Sequence, residues 1–133
     1  MRKLLTKEEQ EEYLYNKIGD PVNFTYPKGE GDLSGKLLDR VVVFDGEDDF
    51  VLYWNMIDLI EFSGEDEDWL RLTYYRCKKK DRRWVFAGQT SISDPISCFE
   101  ELFTKAIKSK VWMRHLFSNI YKQCKKELDL EKL

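Results

Sequence analysis

Between residues 36 and 92 the chain alternates stretches rich in Val, Ile, Leu and aromatic residues with short clusters of Gly, Asp and Glu. The apolar stretches run from Lys36 to Phe44, Phe50 to Trp54, a possible separate segment from Ile57 to Phe62, Trp69 to Cys77, and Trp84 to Ile92. Strands bounded by turn residues at such short, regular spacing form an antiparallel meander. The expectation is an antiparallel sheet or partly closed small barrel of about five or six strands.

The ends of the chain carry a different period. Thr6-Lys7-Glu8-Glu9 is a capping-box pattern, in which the Thr6 hydroxyl and the Glu9 carboxylate satisfy free backbone donors at a helix start. It predicts a helix over about residues 6–18, stopped by Gly19 and by Asp20 before Pro21. A short strand from Val22 to Tyr26 follows. Near the other end Asp94 reads as an N-cap with Pro95 at the first helical position, and Ile96, Phe99, Leu102, Phe103, Ala106 and Ile107 recur at helical spacing. A second series, Met113, Leu116, Phe117, Ile120, Cys124 and Leu128, continues either as a kinked extension or as a separate helix. The fold class is therefore α+β in a single domain over 1–133, with an N-terminal helix over 1–19, a β meander over 20–92, and C-terminal helices over 94–130 packed on the sheet.

With 133 residues, 42% of them hydrophobic, the chain is long enough to bury a core as one unit. No apolar run approaches the ~20 residues that span a bilayer, and the start MRKLLTKEEQEEY turns acidic before a signal-peptide core can form. A cytoplasmic location without integral membrane association is expected. Cys77, Cys98 and Cys124 are odd in number and form no C-x-x-C pair, which suggests reduced thiols rather than a disulfide framework or zinc site.

The net charge of -3 conceals segregation along the chain. Thirteen acidic residues stand against Lys36 and Arg40 between Glu30 and Asp68, whereas seven basic residues stand against Asp81 between Leu70 and Ile92. Such a chain has opposed electrostatic regions, so overall acidity does not exclude a local anion site. The loops 46–49 and 64–68 read as solvated acidic turns. They lack calcium-loop spacing, and no metal or cofactor is expected. The glycine-rich stretch 27–35 has G-x-G-x-x-x-G spacing and leads into a strand, which is not a phosphate-binding loop.

The order "LLDRVVVFDGEDDFVLYWNMIDLIEF", "WLRLTYYR", "RRWVFAG" and then the amphipathic "DPISCFEELFTKAI" resembles the pleckstrin-homology-like barrels of bacterial and GRAM type over residues 36–108. The resemblance implies a sheet plugged by a helix and a role in binding lipids or protein partners. The lipid-binding members carry basic residues around the first strand pair, where this chain has Asp45, Glu47, Asp48 and Asp49, which argues against phosphoinositides. Residues 70–107 alone are also similar to coactivator-like modules that bind single-stranded DNA on dimeric four-stranded sheets.

The hairpin over 70–92 is the candidate binding element. Lys78, Lys79, Lys80, Arg82 and Arg83 would track phosphates or acidic groups, while Arg71, Tyr75, Trp84 and Phe86 would share one face, as a stacking platform or packed under the N-terminal helix. With the turn centred near Lys79-Lys80, Tyr75 would oppose Trp84, and Leu70, Leu72 and Tyr74 would form the core-like face. Trp112, Met113, Leu116, Phe117 and Ile120 offer more apolar surface than a terminal helix obviously needs, pointing to a protein partner or self-association. The single histidine, His115, lies within an apolar series and has no nucleophile placed beside it, so an enzyme is not expected. The reading is a non-catalytic binding or adaptor module for another macromolecule, most plausibly a protein, with single-stranded nucleic acid as the alternative.

Overall fold

The computed structural model describes residues 6–25, 32–80, 84–86 and 92–128. Helix α1 (Lys7–Tyr15) leads into β1 (Pro21–Thr25), β2 (Asp32–Glu47), β3 (Val51–Phe62), β4 (Trp69–Lys78) and β5 (Trp84–Phe86), followed by α2 (Ile96–Ser109) and α3 (Val111–Glu127). The strands form one curled antiparallel sheet in the order β1-β2-β3-β4-β5. Among the described residues, four strands have at least five residues and β5 has three, where about five or six strands are expected. Val51–Phe62 is continuous, because Asn55 and Met56 stay buried and paired and no break separates Ile57. Among the described residues, no helix is long and apolar enough to cross a membrane.

The capping box forms: Glu9 N donates to Thr6 Oγ1 at 3.1 Å, and Thr6 N to Glu9 Oε1 at 3.2 Å. Helix α1 nevertheless ends at Tyr15, earlier than expected, as Lys17 N and Ile18 N turn back to the carbonyls of Leu14 and Tyr15. Gly19, at φ 99°, then redirects the chain so that its N–H donates to the Leu37 carbonyl and Asp20 O accepts from Leu37 N. The positive φ suits glycine, which has no Cβ to clash.

Two helices close the chain. Lys110 is extended between them at φ -128° and ψ 125°. Its Nζ and the Trp112 indole N–H both donate to the Asp39 carboxylate, at 2.8 and 2.9 Å, pinning the break to β2. Burial alone would raise the Asp39 pKa, but these hydrogen bonds outweigh it and hold the carboxyl below its ordinary value. Asp94 does not cap α2 as expected: its carboxylate accepts from Asn55 Nδ2 at 2.9 Å, and Pro95 occupies the cap without a side-chain bond.

The sheet buries side chains on both faces. On one, α2 and α3 cover Val41, Val43 and Ile57 with Leu102, Ala106 and Met113. On the other, Leu14 of α1 packs on Val42, Trp54 and Met56. A third cluster joins Val22, Leu37, Ile60 and Phe62. A bulge decides which β2 residues reach the α1 face: Leu37 pairs with Ile60 but Asp39 with Leu59, leaving Leu38 as an extra residue. Such an insertion inverts the in-and-out alternation beyond it, so Leu37 and Arg40 share a face although they are three residues apart.

Candidate functional site: a cationic pocket beneath the N-terminal helix

Three charged residues lie side by side across three strands. Arg40 of β2 is the register partner of Asp58 of β3, and Asp58 is the register partner of Arg71 of β4. Asp58 accepts from Arg40 Nε at 2.7 Å and Nη2 at 3.1 Å, and from Arg71 Nε at 3.2 Å and Nη2 at 2.9 Å. The side chains of Arg40 and Asp58 are 2% and 0% exposed and that of Arg71 is 17% exposed, so water screens this row little.

The row is held from above by α1. Arg40 Nη1 donates to the Leu14 carbonyl at 3.0 Å, near the helix C-terminus, where the backbone dipole favours a cation. The Arg40 guanidinium also lies 5.7 Å from the Tyr75 ring centroid, an attractive arrangement of cation and aromatic face. Burial raises the Tyr75 hydroxyl above its ordinary pKa. Asp58 supplies one negative charge to two guanidiniums.

A cavity of about 270 Å³ opens onto this row. Arg40 and Arg71 line it together with Lys17 and Asp20 from the turn after α1. Pro21, Val22, Leu37 and Tyr75 give it apolar walls. Counting Asp58 behind the lining, three cations face two carboxylates among the described residues. A guanidinium in a poorly hydrated cleft attracts an anion far more strongly than one in bulk water, because little solvent competes for it. The chemistry on offer is retention of a negative charge.

Among the described residues, the pocket unites Arg71 and Tyr75 of the predicted binding residues. Lys78, Lys79 and Lys80 stand at the far end of β4, around a separate cleft of about 550 Å³ shared with Phe50. There Lys79 Nζ pairs with Glu47 at 2.7 Å and Lys79 N donates to the Phe50 carbonyl. Trp84 and Phe86 pair with Cys77 and Tyr75. Arg82, Arg83 and the expected continuation of the strand over 87–91 lie outside the described residues.

This register is two residues away from the expected one, so Tyr75 opposes Phe86 and not Trp84. The shift is even and keeps the faces, and Tyr75 packs against the cluster under α1, while the face expected to be core-like is the more exposed one. Thr73 and Cys77 are buried on the α1 side, while Leu70 and Leu72, expected in the core, are 39% and 40% exposed. The α1 side of β4 packs against the Leu14 and Trp54 cluster, whereas α2 packs mainly on β2 and β3 on the opposite side.

The proposed interface residues are also redistributed. Met113 is fully buried, and Trp112, Leu116 and Phe117 pack on the core of their own chain, with Phe103 and Phe117 centroids 5.9 Å apart. Ile120 alone of the five is exposed, at 45%. The packing of α3 on α2 accounts for the apolar series that the sequence pattern assigned to a partner.

Lys17, Asp20, Arg40 and Asp58 were not singled out from the sequence. The available signal was a charge inside each of two apolar runs, Arg40 in "LLDRVVV" and Asp58 in "NMIDLI". Charges seldom sit in buried strands unless paired, so two such interruptions of opposite sign predict each other.

A second cluster joins Asp45, Asp94 and Cys98, whose ligand atoms lie within 4.8 Å of one another. Burial, then the hydrogen bond and charge of Asp94, push Asp45 up to about 6. Burial also raises the Cys98 thiol, as do the adjacent carboxylates. Asp45 thus holds its proton above the ordinary carboxylate value. The other acids of this loop act locally: Asp48 accepts from the N–H groups of Phe50 and Val51 and closes the turn.

Comparison with known proteins finds no matching family model, no matching curated protein and no matching solved structure.

Proposed function

We propose that the protein is a non-catalytic binding module that holds an anionic group of a protein partner in the pocket formed by Lys17, Arg40 and Arg71. The observation that carries this reading is the cavity of about 270 Å³ lined by Lys17, Arg40 and Arg71. Its volume falls just below the roughly 300–1,000 Å³ of small-molecule sites, a size suited to an end group rather than a whole nucleotide or cofactor. The curled meander followed by α2 supports the resemblance to pleckstrin-homology-like barrels, and the acidic β2–β3 turn argues against a phosphoinositide ligand.

The reading is tested by titrating isotope-labelled protein with sodium acetate or sodium phosphate against sodium chloride at equal ionic strength. Saturable amide shifts at Lys17, Val22, Leu37 and Arg71 with either oxyanion, absent with chloride, are expected. Identical responses to all three salts reject the pocket as a recognition site.

One observation favours single-stranded nucleic acid as a second reading. Phe50 is 76% exposed beside Lys78, Lys79 and Lys80, combining a stacking surface with cations. Binding of a labelled oligothymidine that weakens with salt, with a log–log slope near -0.7 per phosphate contacted, and that Phe50→Ala abolishes would favour it.

A further inference from the structure

We propose that α1 and α2 together close the outer edge of β2 against strand addition, and that the occupant they exclude is the same edge of a second copy of this chain. The edge begins where β1 stops. β1 pairs with β2 over Asp32–Lys36, and Gly19 N and Asp20 O extend that cover to Leu37. Beyond the bulge at Leu38, β2 has β3 on one side and, among the described residues, no strand on the other.

Backbone groups of alternate residues in an antiparallel ladder point to opposite edges. Leu37 turns its N–H and C=O away from β3, and the extra residue Leu38 shifts the phase by one, so Arg40, Val42 and Phe44 do the same. They lie in the run Arg40-Val41-Val42-Val43-Phe44, whose β-branched and aromatic side chains suit a strand. Left open, this edge would be a template for further pairing. Two such edges set antiparallel about Val42 match each other, N–H to C=O, which makes a second copy the self-complementary occupant.

Side chains take up these groups instead. Val42 N donates to the Tyr15 hydroxyl oxygen at 3.2 Å, at the end of α1, and the Val42 carbonyl accepts from Lys105 Nζ of α2. Arg40 N donates to Asp39 Oδ1 at 2.8 Å, and that carboxylate is itself fixed by Lys110 and Trp112. The two helices lie on opposite faces of the sheet, yet Lys105 Nζ comes within 3.9 Å of Glu11 Oε1 of α1. They therefore meet around the edge. Water would satisfy an open edge nearly as well, so these bonds lend the fold little. What they remove is the availability of the edge.

The test uses the full chain with Tyr15→Phe and Lys105→Met, alone and together, since each keeps most of its side chain and loses the polar atom. Tyr15→Phe should speed hydrogen exchange of the Val42 amide about tenfold. In sedimentation velocity over rising concentration, the double variant should shift from the parent's coefficient to that of a species twice the mass, with cooperative thermal unfolding retained. A peptide of the sequence of residues 39–46, N-methylated at alternate residues so that one of its edges alone can pair, should reverse that shift and leave the parent unchanged. A double variant that unfolds cooperatively and sediments as the parent does overturns the proposal. Association that the peptide does not reverse overturns it too, by placing the contact elsewhere. Loss of cooperative unfolding would make Tyr15 and Lys105 supports of the fold and equally reject the assignment.

Discussion

Arg40 and Asp58 are cross-strand neighbours whose 2.7 Å ion pair is closed to solvent on both sides. Removing one partner of such a pair strands the other, whereas replacing every member with apolar groups removes the problem altogether. Asp58→Ala, which leaves two guanidiniums facing each other, is expected to cost about 3–5 kcal/mol in urea denaturation. The triple replacement Arg40→Met, Asp58→Leu, Arg71→Met should restore most of that stability yet show none of the amide shifts with acetate or phosphate. A triple variant that still binds them would place the site elsewhere.

The Asp45–Asp94 pair carries a pH signature of definite sign. Because Asp45 titrates near 6 in the fold against an ordinary value of 3.8, the folded chain holds the extra proton between these values. Stability from this pair therefore falls as pH rises from about 4 to 6, by about 1 kcal/mol once the partial exposure of the pair is allowed for. Asp94→Asn should lessen this fall while leaving the part due to burial, read as the difference between parent and variant unfolding free energies across the window. A constant difference would count against the shared proton.

The Trp54 indole is 1% exposed and donates to Gln10 Oε1 at 2.9 Å, with Gln10 itself 2% exposed. Trp54→Ala should cost about 3–5 kcal/mol by emptying the centre of the α1-side core. Gln10→Met keeps most of the volume but leaves the indole N–H without its partner, a loss of about 1–3 kcal/mol. Thermal unfolding of the two variants should rank them in that order.

Gly35 and Gly64 resist substitution for different reasons. At Gly35 an added Cβ would run into the Glu61 carbonyl oxygen and lie 2.8 Å from Phe62 Cδ1, so Gly35→Ala must push β2 from β3 and should cost at least about 1–3 kcal/mol. At Gly64 there is open space but φ is 81°, so Gly64→Ala should cost only the left-handed penalty of about 1–2 kcal/mol. Chemical denaturation of both variants checks whether crowding outweighs strain.

The α+β class, the meander order and the start of α1 were legible because each rests on local chemistry: alternating apolar stretches, turn clusters and the Thr6–Glu9 box. The breaks were less legible. The turn after α1 at Gly19 and the extended Lys110 are held by contacts with Leu37 and Asp39, far away in sequence. The exposure of Leu70 and Leu72 was not legible, because they look like core residues in isolation and α2 lies mainly over β2 and β3. Of the candidate site, Arg71 and Tyr75 were found through their hairpin, whereas Arg40 and Asp58 enter through the bulge at Leu38, which no pattern of alternating residues announces.

The position of the charged row at the middle of two long strands has a consequence for assembly. Strands of 16 and 12 residues rich in Val, Ile and Leu could slide past one another with small loss of apolar contact. A slide of one residue between β2 and β3 would turn Asp58 to the opposite face from Arg40, and a slide of two would separate them along the same face. Either leaves buried charge unmatched, at a cost greater than the net stability lent by the matched row. The three residues thus act as a key with one cut: they add little to how strongly the sheet holds and much to which alignment it accepts.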